Sequence, residues 1–460
     1  ALIVFSLLQT ATKPRTNFSI KLGLPNNSFP NPLIGSASCV LRGGFVAGGC
    51  THYGELWIMI EILKQNRRKT RVHSTASIII APMKHAILVL SCALVICCGQ
   101  QKKKESTLPP ERTNIAGLRY ANGFKISTLG KAKLVTVTYP FQGATSGYTY
   151  LLVQRGDSVP PHDPKTRVIT IPLRNIVCTS TTHIPLLDHL NETDKLVGFP
   201  TTDYISSKKM RKRIDEGKIQ ELGIDKGLNL ERLAMLKPDM VMGYTMSSDY
   251  GPFKKVEELG VPVVINAEYL EKHPLGRAEW IKFVALFFNK EREADSVFNA
   301  IEKSYLQTKS LTDNTSEKPT VLSGIVFGDA WFMPGGQNYA AKLLKDAGCN
   351  YLWASDSTNG FLELDFESVY AKAREADLWI GVGTFKTLEE IKASDHRYTK
   401  FKPFQQKQVY TYNARVGAKG GSEFLELGYL RPDFILKDLV KIAHPQLLPD
   451  YELYFHKKLE

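Results

Sequence analysis

The sequence predicts an α/β protein: two lobes of mostly parallel sheet flanked by helices, joined by one long rigid helix. Three observations predict it. Short β-branched runs alternate with helical stretches in two separate regions, 176–265 and 321–444, and that alternation gives parallel sheet covered on both faces. Between them, 274–308 carries Trp280, Phe283, Val284, Phe287, Phe288, Ala294, Val297, Phe298, Ile301 and Tyr305 at helical spacing. The two regions also echo each other. Asn229 and Asp365 each stand as a cap residue with a Glu two positions later, a helix, and then Asp and an apolar strand ending in Gly.

Taken in order, residues 1–82 fit the rest badly and are expected to be a non-native upstream segment. They hold nine Lys and Arg against two Glu, so +7 of the chain's +13 lies there and +6 is left for the remainder. The basic total is therefore poor support for nucleic-acid binding. Residues 83–98 open on Met83, Lys84 and His85, continue as an apolar run too short to span a bilayer, and end at Cys97, Cys98 and Gly99. A charged start, an apolar middle and a small-residue end make a secretory signal, and the cysteine at its end resembles a bacterial lipoprotein signal. Lipidation is expected at Cys98 (or Cys97), with 99–113 as a polar linker. Cys178 and Cys349 are the body's two cysteines, without metal-like spacing and assigned to different lobes, which argues against a disulfide framework or a cysteine zinc site.

An N-terminal α/β lobe is expected over 114–272. It starts with β runs at 134–139, 148–154 and 167–171, then alternates: strand 176–180, helix 183–190, strand 195–199, helix 229–236, strand 239–243, helix 253–259, strand 261–265. A bridging helix follows at 273–310. A C-terminal α/β lobe covers 318–460, with strands at 321–327, 378–382 and 409–412 and helices at 339–346, 365–375, 387–393 and 431–444.

Phosphate-loop, His-Glu-x-x-His and Gly-x-Ser-x-Gly signatures are missing, which lowers the odds of an enzyme. No His, Asp and Glu quartet marks a bare metal ion site. Ligand groups are expected where strands end and helices begin, between the lobes. By position these are Phe199, Thr202 and Tyr204; Tyr244, Thr245 and Met246; Trp331 and Met333, read as an exposed loop beside Pro334, Gly335 and Gly336; and Tyr412 with Arg415. Flat aromatic faces suit a bulky ringed ligand, and an Arg suits negative charge.

From Asn175 onward, several pieces resemble one family in order and spacing: Lys195-Leu-Val-Gly-Phe, Asn229-Leu-Glu-Arg-Leu with Lys237-Pro-Asp, Glu257-Glu-Leu-Gly-Val-Pro-Val, Ala347-Gly-Cys-Asn, Phe366-Glu-Ser-Val and Leu430-Arg-Pro-Asp-Phe. The family is the periplasmic substrate-binding lipoproteins of ABC importers, of the iron-siderophore, haem and cobalamin class. The resemblance implies a monomer without catalysis or cofactor. Such a protein is lipid-anchored in the periplasm, holds an iron complex or a corrinoid between its lobes, and hands it to a permease with its ATPase. It also implies that Glu231 and Glu367, one per lobe, dock to permease arginines. A carboxylate in a helix's first turn would also be stabilised there by the helix dipole alone. A cell-surface adhesin and an enzyme processing a metal complex are the alternatives of another class.

Overall fold

The computed structural model describes the backbone of 112–114 and residues 117–224 and 227–460 in full. The expected upstream segment and the signal with Cys97 and Cys98 lie outside the described residues. So does the linker, except for its last residues, which begin a strand.

A β-sheet precedes the first βα unit. It runs β1 (Arg112–Asn114), β2 (Phe124–Leu129), β3 (Ala132–Val137), β4 (Tyr148–Gln154) and β5 (Arg167–Ile171). Neighbours are antiparallel up to β4, and β5 runs parallel to β4. Tyr150 ties this sheet to the next, its hydroxyl accepting from the Ile265 N–H at 2.9 Å.

The first parallel sheet has the order β12-β11-β6-β7-β8. Its strands are β6 (Ile176–Cys178), β7 (Leu196–Phe199), β8 (Gln220–Glu221), β11 (Met240–Gly243) and β12 (Val263–Ile265), and a small hairpin, β9 (Gly223–Ile224) and β10 (Gly227–Leu228), hangs beside it. β6, β11 and β12 are buried along their whole length, as expected of strands covered on both faces. The helices between them are α1 (His183–His189), α2 (Lys208–Asp215), α3 (Leu230–Leu236) and α4 (Pro252–Glu258). α2 falls in a polar, lysine-rich stretch whose one buried residue is Met210, so it carries too little apolar periodicity to be foreseen.

The bridging helix differs from expectation. Residues 274–308 are not one rod but α5 (Pro274–Ala285) and α6 (Glu291–Ser310). Asn289 takes a left-handed φ of 57°, the conformation that ends helices, and the Lys290 N–H returns to the Ala285 carbonyl at 3.0 Å. In a continuous helix Lys282 and Phe298 would stand about 24 Å apart. Here the Lys282 ammonium lies 4.9 Å from the Phe298 ring and 3.3 Å from Asp295, so the helices fold back on each other. α5 is buried almost throughout, with Trp280 and Phe283 packed on Phe124 at 4.9 and 5.4 Å. α6 alone makes the span of about 30 Å: Glu291 pairs with Lys133 at one end, and the Tyr305 hydroxyl donates to Asp346 at 2.8 Å at the other.

The second parallel sheet has the order β16-β13-β18-β19-β20, with β20 antiparallel. Its strands are β13 (Thr320–Ser323), β16 (Asn350–Tyr351), β18 (Leu378–Ile380), β19 (Val409–Thr411) and β20 (Lys457–Lys458). The expected strand 321–327 is two strands. Gly324, at φ 81°, turns the chain out of β13 into a separate antiparallel sheet of β14 (Ile325–Phe327), β15 (Ala330–Pro334) and β17 (Phe361–Leu364). Only glycine fits there, because a Cβ would lie 1.8 Å from the Phe332 carbonyl oxygen. Around these strands lie α7 (Tyr339–Asp346), α8 (Phe366–Ala373), α9 (Leu388–Ser394), α10 (Lys402–Gln405), α11 (Glu423–Leu427) and α12 (Pro432–Ala443).

Candidate functional site

The lobes meet along a cleft of about 980 Å³. One wall comes from α1 and α2, with His189, Ser206 and Arg211. The other comes from the segment after β19 and from α11, with Arg415, Glu423 and Glu426. The closest join is made by backbone. Gly417 approaches so near that a Cβ would lie 2.6 Å from the Ser206 Cα, and one on Gly421 would lie 2.1 Å from the Tyr204 carbonyl oxygen. Glu426 fastens the join from the opposite lobe, accepting the N–H groups of Ser206 and Ser207 at 2.6 and 3.1 Å, at the start of α2. Burial pushes its carboxyl up to about 7, against the opposing pull of those N–H donors.

A second junction is built on Arg277 of α5. Its guanidinium lies 3.4 Å from the Tyr339 ring centroid and 4.4 Å from that of Tyr429, both in the C-terminal lobe. It donates to the carbonyls of Tyr269 and Glu271 at 2.8 and 3.2 Å. Beside it, at the C-terminal ends of β6 and β12, stands a polar group the sequence reading did not include. Thr182 donates to Glu268 at 2.5 Å and shares a hydrogen bond of 2.8 Å with the Ser180 hydroxyl. Burial pushes the Glu268 carboxyl up to about 7 and depresses His183 to about 3. Small polar residues directly after an apolar strand, Thr179 to Thr182, are the sequence signal for this group.

The expected ligand residues divide. Arg415 is exposed and lines the interlobe cleft, its Nε donating to the Tyr454 carbonyl at 3.1 Å. Met246 is exposed and Tyr244 half-buried after β11. Thr245 is buried and spends its hydroxyl on the carbonyls of Ser247 and Asp249, shaping its own turn. Thr202 donates to Glu221 at 2.6 Å and Phe199 is buried core, while Tyr204 is half-buried at the join with Gly421. Tyr412 stacks on Phe424 at 4.8 Å and faces a different cavity of about 100 Å³ inside the C-terminal lobe.

Trp331 and Met333 correct the expectation of an exposed loop. Both lie on β15 and are fully buried. Trp331 stacks on Trp379 at 5.5 Å, meets Phe366, Tyr398 and Phe401, and donates its indole N–H to the Ser323 carbonyl at 3.0 Å. The neighbouring glycines and proline mark strand connections, and do not lift the tryptophan into solvent.

Glu231 and Glu367 are exposed in the first turns of α3 and α8, whose caps are formed by Asn229 and Asp365. Glu367 pairs with Arg397 at 3.1 Å. Among the described residues, no group of three or more His, Cys, Asp or Glu is arranged to hold a metal ion, and no helix is long and apolar enough to cross a membrane.

Comparison with known proteins places these features in one family. A family model described as "Periplasmic binding protein" matches residues 176–416, which takes in the first parallel sheet, the helices between the lobes and the C-terminal lobe through β19. Two uncharacterized lipoproteins of Methanocaldococcus jannaschii are each 27% identical to the chain. One aligns over 68% of this chain and 76% of its own length, the other over 78% and 90%. Among solved structures, an ABC transporter substrate-binding protein from Listeria monocytogenes is 21% identical with a TM-score of 0.45, covering 59% of this chain and 99% of its own.

Proposed function

The chain belongs to the periplasmic binding protein family, a family of substrate-binding proteins and not of enzymes, and on that premise we propose that it is the substrate-binding component of an ABC importer. It captures an iron complex, a siderophore or haem, between its lobes and delivers it to a membrane permease. The observation that carries this is a cleft of about 980 Å³ walled by both lobes, a size that suits a bulky chelate. Capture needs only modest motion. The lobes are held by α6 and by the Arg277 junction, so closure is a small rocking about a stiff joint.

A lipid on Cys98 (or Cys97), with 99–113 as tether, holds the protein at the membrane beside its permease, in keeping with relatives named lipoproteins. Glu231 and Glu367 dock it there. Exposed carboxylates orient an encounter more than they add affinity. The testing experiment is a fluorescence titration of the purified chain with haem, several ferric siderophores and cobalamin. Quenching by one iron complex alone supports the proposal. Quenching by cobalamin alone reassigns the chain to corrinoid uptake, and the absence of any response removes the cargo class.

A further inference from the structure

We propose that the cavity inside the C-terminal lobe is a second binding site, and that it takes one small hydroxylated aromatic ring, a phenol, whose hydroxyl is held by His456 and Tyr412. The inference goes beyond the binding-protein reading. This cavity of about 100 Å³ shares no lining residue with the interlobe cleft and is far too small for a whole chelate.

Its position is set by the sheet. Ser323 ends β13, Gly381 follows β18 and Tyr412 follows β19, so the cavity lies at the C-terminal ends of three parallel strands, where sheets of this kind bind ligands. Leu343, Phe424, Ile435 and Leu439 wall it from α7, α11 and α12, and Phe332 and Phe361 from β15 and β17. Phe332, Phe361 and Gly381 are half-buried, so the rim reaches solvent. No Asp, Glu, Lys or Arg lines the cavity, and a charged ligand would leave water without a counter-charge. Apolar cavities of about 150 Å³ take a benzene ring, so this volume and its mouth admit one six-membered ring and nothing larger.

The polar end is built from behind. Asp438 of α12 is fully buried and accepts the N–H groups of Tyr454, Phe455 and His456 and the hydroxyl of Tyr451 at 2.7–2.8 Å. It also accepts from His456 Nδ1 at 3.0 Å. Burial alone would raise the Asp438 carboxyl, but the His456 ring and the backbone donors outweigh it and hold the group below the usual carboxylate range. The ring proton is thereby fixed on Nδ1, and Nε2, on the opposite edge of the ring, is the nitrogen available to the cavity that His456 lines. Orienting one imidazole nitrogen with a carboxylate is how folds present the other to a bound group. His456 is 4% exposed and Tyr412 8% exposed, yet among the described residues neither His456 Nε2 nor the Tyr412 hydroxyl has a hydrogen-bond partner. Buried polar groups are nearly always paired. Two such groups on one apolar cavity mark where the polar end of a ligand goes. A hydroxyl suits both, because it donates to a neutral imidazole, accepts from a charged one, and pairs with the Tyr412 hydroxyl either way.

Calorimetric titration of the purified chain tests this by comparing phenol with toluene, which has the same shape without the hydroxyl. Phenol is expected to bind and to raise the Tm, with toluene at least tenfold weaker. His456→Asn keeps a side-chain N–H for Asp438 and removes Nε2. It is expected to weaken phenol at least tenfold and to leave toluene unchanged. Tyr412→Phe is expected to act in the same direction, and it reads the same contact if His456→Asn fails to fold. Ala340→Leu fills the cavity and is expected to abolish binding of both probes. Equal affinity for phenol and toluene would make the cavity a packing gap and overturn the site. Phenol binding that is unchanged in the His456 and Tyr412 variants, or that survives Ala340→Leu, would place the ring elsewhere, and no phenol binding at all would remove the site. No chelate enters these measurements, so they stand apart from the outcome of the cargo titration.

Discussion

Glu268 and Glu426 carry a pH dependence whose sign follows from burial. Each carboxyl has an ordinary value of 4.5 and is pushed to about 7 in the folded chain, chiefly by loss of water. Between those values the folded state keeps a proton that the unfolded state has released, so both groups make stability fall as pH rises through that window. Glu268→Gln removes one of the two, so its Tm relative to the parent protein is expected to rise between pH 5 and pH 8; a difference that stays flat would contradict the burial argument. Trp331 calls for a different measurement. Wedged among Trp379, Phe366, Tyr398 and Phe401, it is expected to cost about 3–5 kcal/mol when changed to Ala, read by chemical denaturation. Its sequence neighbours, Gly335 and Gly336, made it resemble a loop residue. A single tryptophan flanked by turn residues does not disclose whether its ring points inward, since that depends on partners such as Trp379 that are distant in sequence.

At the scale of elements, periodicity disclosed most of the parallel strands and their helices, because burial on both faces writes continuous apolar runs into β6, β11, β12 and β13. Breaks were harder to see. Residues 286–290 read as helix because Phe287 and Phe288 keep helical spacing, yet Asn289 adopts the left-handed conformation and Phe287 offers its carbonyl to Leu173 at 2.9 Å. Gly324 hid a second break, between two strands that join different sheets. Gly324→Ala is the sharper probe of the two, since its Cβ would meet backbone that cannot move aside as a side chain could. It is expected to destabilise by more than the roughly 1–3 kcal/mol of ordinary backbone strain and to loosen β14 and β15 selectively, measured as faster amide exchange in 325–334 than in β13. Equal protection of both stretches would show that the turn tolerates a side chain.

For the whole molecule, the proposed docking carboxylates Glu231 and Glu367, one on each lobe, can act as a pair only if the joint between the lobes is stiff. α6 supplies that stiffness as one uninterrupted 20-residue helix anchored in each lobe, while α5, folded back beside it, is clamped to the chain before β2. Glu279 accepts the N–H groups of Arg119, Tyr120 and Ala121 at 2.8–3.0 Å, and Glu271 those of Asn122 and Gly123. The recurrence of cap, glutamate and helix at Asn229 and Asp365 was legible because it is local in sequence. The cleft was not, since its walls are about 200 residues apart and meet through glycine backbones such as Gly417 and Gly421. The two proposed docking glutamates are also unequally placed. Among the described residues Glu231 makes no ion pair, whereas Glu367 already holds Arg397 at 3.1 Å, so under the docking proposal a permease arginine would have to displace or share that partner. A surface pair of this kind is worth about 0–1 kcal/mol, which makes Glu367 the weaker contributor by a small margin. Glu231→Ala is therefore expected to reduce uptake of the bound chelate more than Glu367→Ala, and the double variant more than either, with chelate binding in solution unchanged in all three. Arg397→Ala would free Glu367 and is expected to bring its substitution closer in effect to that of Glu231. If the double variant transported at the parental rate, the glutamates would be cap-stabilising residues of α3 and α8 and nothing more.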